Sequence, residues 1–176
     1  MKNRNSFFAK ADKLKPAYDM VYKIILCLCK LLLLGDVLIT SMSVLGRYVS
    51  FIPDPSWSEE IVLTLMAYMA VLSAALAIRK GAHIRMTAFD KYFSKKALKI
   101  SDLIADILVF SFGVVMLVVG LNYAIAIGSK GVYISLPSLS KFWMYFPVPL
   151  AGLAMIIFEI EAIYNHIKAL ALKEVK

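Results

Sequence analysis

Apolar residues in this chain neither alternate nor form a narrow stripe; they run in four long blocks, at about 24–46, 60–78, 100–127 and 142–167. A surface helix of a soluble domain repeats its apolar residues near a period of 3.6, and a half-buried strand repeats them at two. A helix that is apolar all round has lipid or protein on every side. Each block reaches the roughly 20 residues that cross about 30 Å of hydrocarbon. The pattern predicts an all-α integral membrane protein with four transmembrane helices. The membrane domain spans 23–168, and a short cytoplasmic tail follows at 169–176.

Two polar segments keep a helical stripe. In the leader, residues 1–22, Phe7, Ala11, Leu14, Tyr18 and Val21 recur at spacings of three and four among Lys2, Arg4, Lys10, Lys13 and Lys15. Such a stripe suits an amphipathic helix on the inner leaflet, with a new helix starting at Pro16. Between spans 2 and 3, Met86, Phe89, Phe93, Ala97 and Ile100 alternate helically with Asp90, Lys91, Ser94, Lys95 and Lys99. A second interfacial helix is predicted there, at about 86–98, with its lysines towards anionic lipid head groups. The run from Ile24 to Gly46 exceeds the roughly 7–15 residues of a cleaved signal, so the first span reads as a retained anchor.

Charge gives these spans a direction. The chain has 20 basic and 12 acidic residues, a net charge of +8. The bases flank apolar blocks, which points to membrane topology and not to nucleic acid. The leader through Lys15 holds five, the connector Arg79 to Lys99 seven, and the tail (Lys168, Lys173, Lys176) three. The loop after span 1 holds only Arg47, and the loop after span 3 holds Lys130 and Lys141. Both termini and the central connector are therefore expected in the cytoplasm. Trp57, Trp143 and Tyr145 then fall at the opposite interface.

Ionisable residues inside spans are costly and so informative. Lys30, Asp106 and Glu159 each lie seven residues from a polar residue at the cytoplasmic end of their block, Lys23, Lys99 and His166. At about 1.5 Å per residue all three sit near 10 Å deep. An ionic cluster is expected, with Lys30 paired to Asp106 or Glu159. Asp36 lies near mid-membrane, where no basic residue matches its depth and Tyr68 does. It reads as a protonated, hydrogen-bonded acid or as a contact to a second protein. Cys27 and Cys29 are two apart on one helix and face away from each other, so they do not pair.

Transporters commonly build their sites from broken helices near the midplane. Spans 1 and 2 contain no proline, and Pro147 and Pro149 lie near the outer end of span 4. His83 and His166 are not placed for a haem, and no GxSxG, HExxH or P-loop motif occurs. No cofactor and no enzymatic activity are expected.

The stretch Trp57 to Met86, WSEEIVLTLMAYMAVLSAALAIRKGAHIRM, resembles the small, DctQ-like membrane subunit of tripartite ATP-independent periplasmic (TRAP) transporters. The likeness rests on Trp57, Glu59 and Glu60 opening span 2, and on Arg79, Gly81 and His83 leaving it. Arg47 with Tyr48, then Ser135, Leu136, Pro137, Pro147, Pro149 and Gly152, extend it over about 20–165. The resemblance implies a bacterial inner-membrane scaffold for a large, elevator-type subunit that holds the substrate and sodium sites. It also implies a periplasmic binding protein delivering an organic acid, sialic acid or a dicarboxylate, with this chain offering part of its docking surface. Arg47, Trp57, Glu59, Glu60, Arg79 and His83 are the interface candidates. The glutamates also suit a helix N-terminus, and Trp57 an interface anchor. Two other classes are weighed against this reading: a self-contained proton-coupled exporter using Asp36, and a membrane anchor for a redox enzyme.

Overall fold

A computed structural model describes residues 15–49, 51, 55–80 and 95–173. Residues 1–14 of the leader, His83, and most of the helix expected at 86–98 lie outside these residues. Helix α1 runs Lys15–Tyr48, α2 Ser58–Arg79 and α3 Lys95–Ala126. A 3-10 turn at Gly128–Lys130 follows, then the short α4 at Phe142–Tyr145 and α5 at Pro147–Lys173. Four segments are long and apolar enough to span a membrane: α1, α2, Ile100–Lys130 and Phe142–Lys168.

The prolines mark where helices begin. Pro16 sits in the first turn of α1, where a missing N–H costs nothing. The helix then continues without a break, so residues 15–22 extend span 1. Its 34 residues rise about 51 Å, well beyond the hydrocarbon thickness. Pro147 opens α5 and cannot donate to the carbonyl four residues back, that of Trp143. That freed carbonyl accepts the Tyr68 hydroxyl at 2.9 Å instead. Span 4 is thus interrupted between α4 and α5, and the interruption is tied to span 2. Tyr68 is committed to Trp143, not to Asp36 at its own depth.

The spans form a row and not a closed bundle. α1 packs on α2, α2 on α5, and α5 on α3, while no comparable seam joins α1 to α3 among the described residues. Ser43 meets Ser58 near one end of the α1–α2 seam and Asp19 meets Arg79 near the other, so the pair is antiparallel. α2 and α5 run parallel, joined at Tyr68–Trp143 and at Arg79–Glu161. The α3–α5 seam is the tightest. A Cβ on Gly152 would lie 2.7 Å from the Gly113 carbonyl oxygen and 2.7 Å from the Leu117 nitrogen. Small residues at such crossings let backbones approach closely, which drives helix association in lipid.

The buried core is correspondingly thin. It joins Cys29 of α1, Leu72, Ala75, Leu76 and Ile78 of α2, and Ala154, Met155 and Phe158 of α5. Of the alanines in α2, Ala75 enters this seam. Ala70 and Ala74 are open, on a stripe with Leu63 and Met66.

Candidate functional site

Two polar assemblies tie the row together, one at each end. At the end carrying the 131–141 loop, Glu60 stands in the first turn of α2. Its carboxylate accepts the backbone N–H of Ile134 at 3.1 Å and of Ser135 at 2.8 Å. The same loop is closed on itself by a Val132–Ser140 bridge and by Lys141 N–H donating to the Gly131 carbonyl at 2.9 Å. Tyr133 is 1% exposed, and its hydroxyl shares a 2.9 Å hydrogen bond with Thr64. Burial pushes the Tyr133 phenol above its ordinary range, so it stays protonated and available to that bond. Glu60 is thus a loop clamp as well as a favourable charge at a helix N-terminus.

Arg47 and Glu59 are brought together as an ion pair between α1 and α2. Both are exposed, so the pair contributes little on its own. Trp57 occupies the position just before α2 and makes no side-chain cap bond. Tyr48, Phe51 and Ile134 also project from this end, each more than 80% exposed. Replacing Glu60 by Gln would turn an amide towards two N–H donors. The expected result is a loosened 131–141 loop, because the neutral amide offers a single carbonyl oxygen to the two N–H donors. Faster hydrogen exchange at the Ile134 and Ser135 amides checks it.

At the opposite end Arg79 joins three helices. Its Nε donates to Glu161 of α5 at 2.8 Å, and a terminal nitrogen reaches both Glu161 and Asp19 of α1. The guanidinium also lies 5.2 Å from the Tyr22 ring and 6.0 Å from the Phe158 ring. Arg79 and Glu161 side chains are only 16% and 12% exposed, so this pair is far less screened than Arg47–Glu59. A planar fork meeting a carboxylate through two nitrogens is geometry that lysine cannot supply.

The expected Lys30 cluster takes a different form. Lys30 is exposed on α1, away from the α3–α5 seam, and its long side chain can run outward. Asp106 pairs with His166 Nδ1 instead, and Glu159 is enclosed beside them with no hydrogen bond to either oxygen among the described residues. Equal depth is not proximity: α1 and α3 stand at opposite ends of the row. Asp36 is half-buried, and its Oδ1 has no hydrogen-bond partner among the described residues. It opens onto a shallow notch shared with Thr40 and Ser41. The partners missed from sequence are Asp19, Glu161, Tyr133, Thr64 and His166. Glu161 alone carried a legible signal, as an acid within a span.

A family model described as tripartite ATP-independent periplasmic transporters, DctQ component, matches residues 36–169. This chain belongs to that family. The sialic acid TRAP transporter small permease protein of Vibrio cholerae serotype O1 is 31% identical over 120 residues, covering 66% of this chain and 67% of the relative. The DctQ component is a multi-pass inner-membrane subunit of a transporter and not an enzyme. Membership implies association with a large membrane subunit and a binding protein. It displaces the readings of a lone exporter and of a redox anchor. The match takes in Glu60, Arg79 and Glu161 but begins at Asp36. Asp19 and Tyr22, which complete the Arg79 assembly, lie before it.

Proposed function

We propose that this DctQ component is the fixed scaffold on which the large subunit moves, in a sodium-gradient-driven importer of an organic acid. The observation that carries the reading is the row itself. Four spans tied at both ends make a rigid wall, with its broad faces open. On one of them the stripe Leu63, Met66, Ala70 and Ala74 offers small residues where a partner helix can approach closely. Asp36, Thr40 and Ser41 add a polar notch on α1 that a hydrogen-bond donor from the partner would satisfy.

The charge count supports cytoplasmic termini, which puts the Glu60-clamped loop in the periplasm. Tyr48, Phe51 and Ile134 would then take part in docking the binding protein. The relative's name favours sialic acid as the cargo, and a C4-dicarboxylate is the second choice. Bulk on the open stripe tests the scaffold. Ala70→Trp is expected to leave the chain folded, with an unchanged thermal midpoint. It should reduce the large subunit retained on co-purification in detergent at least severalfold. Full retention by the variant, or none by the unsubstituted chain, would count against the proposal.

A further inference from the structure

Asp36 presents a demand that the described residues leave unmet. Eleven residues separate it from Arg47 near the end of α1, about 16 Å at the helical rise and so close to the middle of the hydrocarbon. Its Oδ1 is enclosed and has no hydrogen-bond partner among the described residues. A polar group held in hydrocarbon without a partner is costly, and acids within spans pair with other groups or with another protein.

The groups around it are committed elsewhere or out of place. Tyr68 of α2, at the same depth, donates to the Trp143 carbonyl. Gly35, the preceding residue, faces the apolar Leu65. Thr40 and Ser41 share the notch of Asp36 without bonding Oδ1. Lys30 lies six residues earlier, about 9 Å away in rise and a third of a turn round the helix. The notch has a volume of about 540 Å³ and opens to the outside of α1, where Val37, Val44 and Leu45 are each about half exposed. Lipid head groups stop at the interface and do not reach this depth. The described His, Cys, Asp and Glu residues form no group that could hold a metal ion. A second copy of this chain in the same orientation brings only its own Asp36 to that depth, a like charge. What remains is a helix of the large membrane subunit with which this family associates. Charge complementarity selects a basic side chain on it, since an ionic hydrogen bond is about twice as strong as a neutral one.

We propose that Asp36 forms an ion pair with a lysine or arginine on a transmembrane helix of the large subunit, seated in the notch that Thr40 and Ser41 line. The short hydroxyl side chains let that helix approach α1 closely and offer it further hydrogen bonds. Resting on the scaffold reading, the pair adds a register to it. A single acid at mid-span meets a single base at one depth only, so it fixes how far the partner helix stands along α1.

Asp36→Leu and Asp36→Asn, each expressed with and without the large subunit, test the pair. Without it, Asp36→Leu should hold or raise the thermal midpoint of the chain in detergent, because an unmet polar group leaves the span. With it, Asp36→Leu should retain at least tenfold less large subunit on co-purification than the unsubstituted chain does. Asp36→Asn should retain at least severalfold less, because an amide keeps a hydrogen bond but not the charge. Full retention by Asp36→Leu overturns the ion pair and leaves the scaffold reading standing. Full retention by Asp36→Asn overturns it as well, since a neutral donor would then suffice. So does a fall in the midpoint of the isolated Asp36→Leu chain, which would show the carboxylate already satisfied within it. No retention by the unsubstituted chain would overturn the scaffold reading and the ion pair together.

Discussion

Arg79→Met is expected to be the most damaging single substitution in this chain. The change keeps an unbranched apolar stem but removes the guanidinium that satisfies Glu161 of α5 and Asp19 of α1. Asp19 is exposed enough to find water, but Glu161 is 12% exposed and would be left as an enclosed charge. Removing one partner of such a pair typically costs about 3–5 kcal/mol. Two stacking contacts, to Tyr22 and Phe158, are lost with it. The measurements are folded yield and thermal midpoint in detergent. Arg79→Lys should recover only part of the loss, since a point charge cannot hold both oxygens of Glu161. The double variant Arg79→Met with Glu161→Leu should recover more, because no buried charge is then left alone.

Gly152→Val is expected to come second, by a purely steric route. The alanine Cβ alone would sit 2.7 Å from backbone atoms of α3, which cannot rotate away as a side chain would. The α3–α5 seam must open, and overpacking of this kind typically costs about 1–3 kcal/mol, with Val at or above the top of that range. Gly35→Ala is the matched control. Its Cβ would meet Leu65 at 3.7 Å, an ordinary contact, and helix propensity favours Ala by about 1 kcal/mol. The first variant should lose midpoint and the second should hold or gain it.

These two sites show what the sequence could and could not convey. The number of spans was legible because lipid imposes a length and an all-round apolar surface on a helix, whatever its neighbours. Pro16 marked a helix start for an equally local reason, whereas the start of α5 at Pro147 fell inside the span expected at 142–167. Seams between helices are another matter. Depth along a helix can be counted from residue number, but the order of helices in the row cannot. That is why Lys30 matched Asp106 and Glu159 in depth yet lies apart from them, with His166 taking the place expected of Lys30. The Arg79–Glu161 pair had a visible base at the end of one span and a visible acid within another, yet nothing local said that α2 and α5 are neighbours. Glu60 was legible as a candidate, but its ligands are backbone amides, and amides carry no residue-type signal. Gly152 likewise entered through family resemblance, and its reason is a crossing that only three dimensions show.

The scaffold role is tested most directly by transport in liposomes of defined composition. With the large subunit, the binding protein and this chain together, inward sodium should drive uptake of labelled sialic acid or of a C4-dicarboxylate. Liposomes holding this chain alone should take up neither. Uptake by this chain alone would contradict the account, and so would undiminished uptake by the other two components without it.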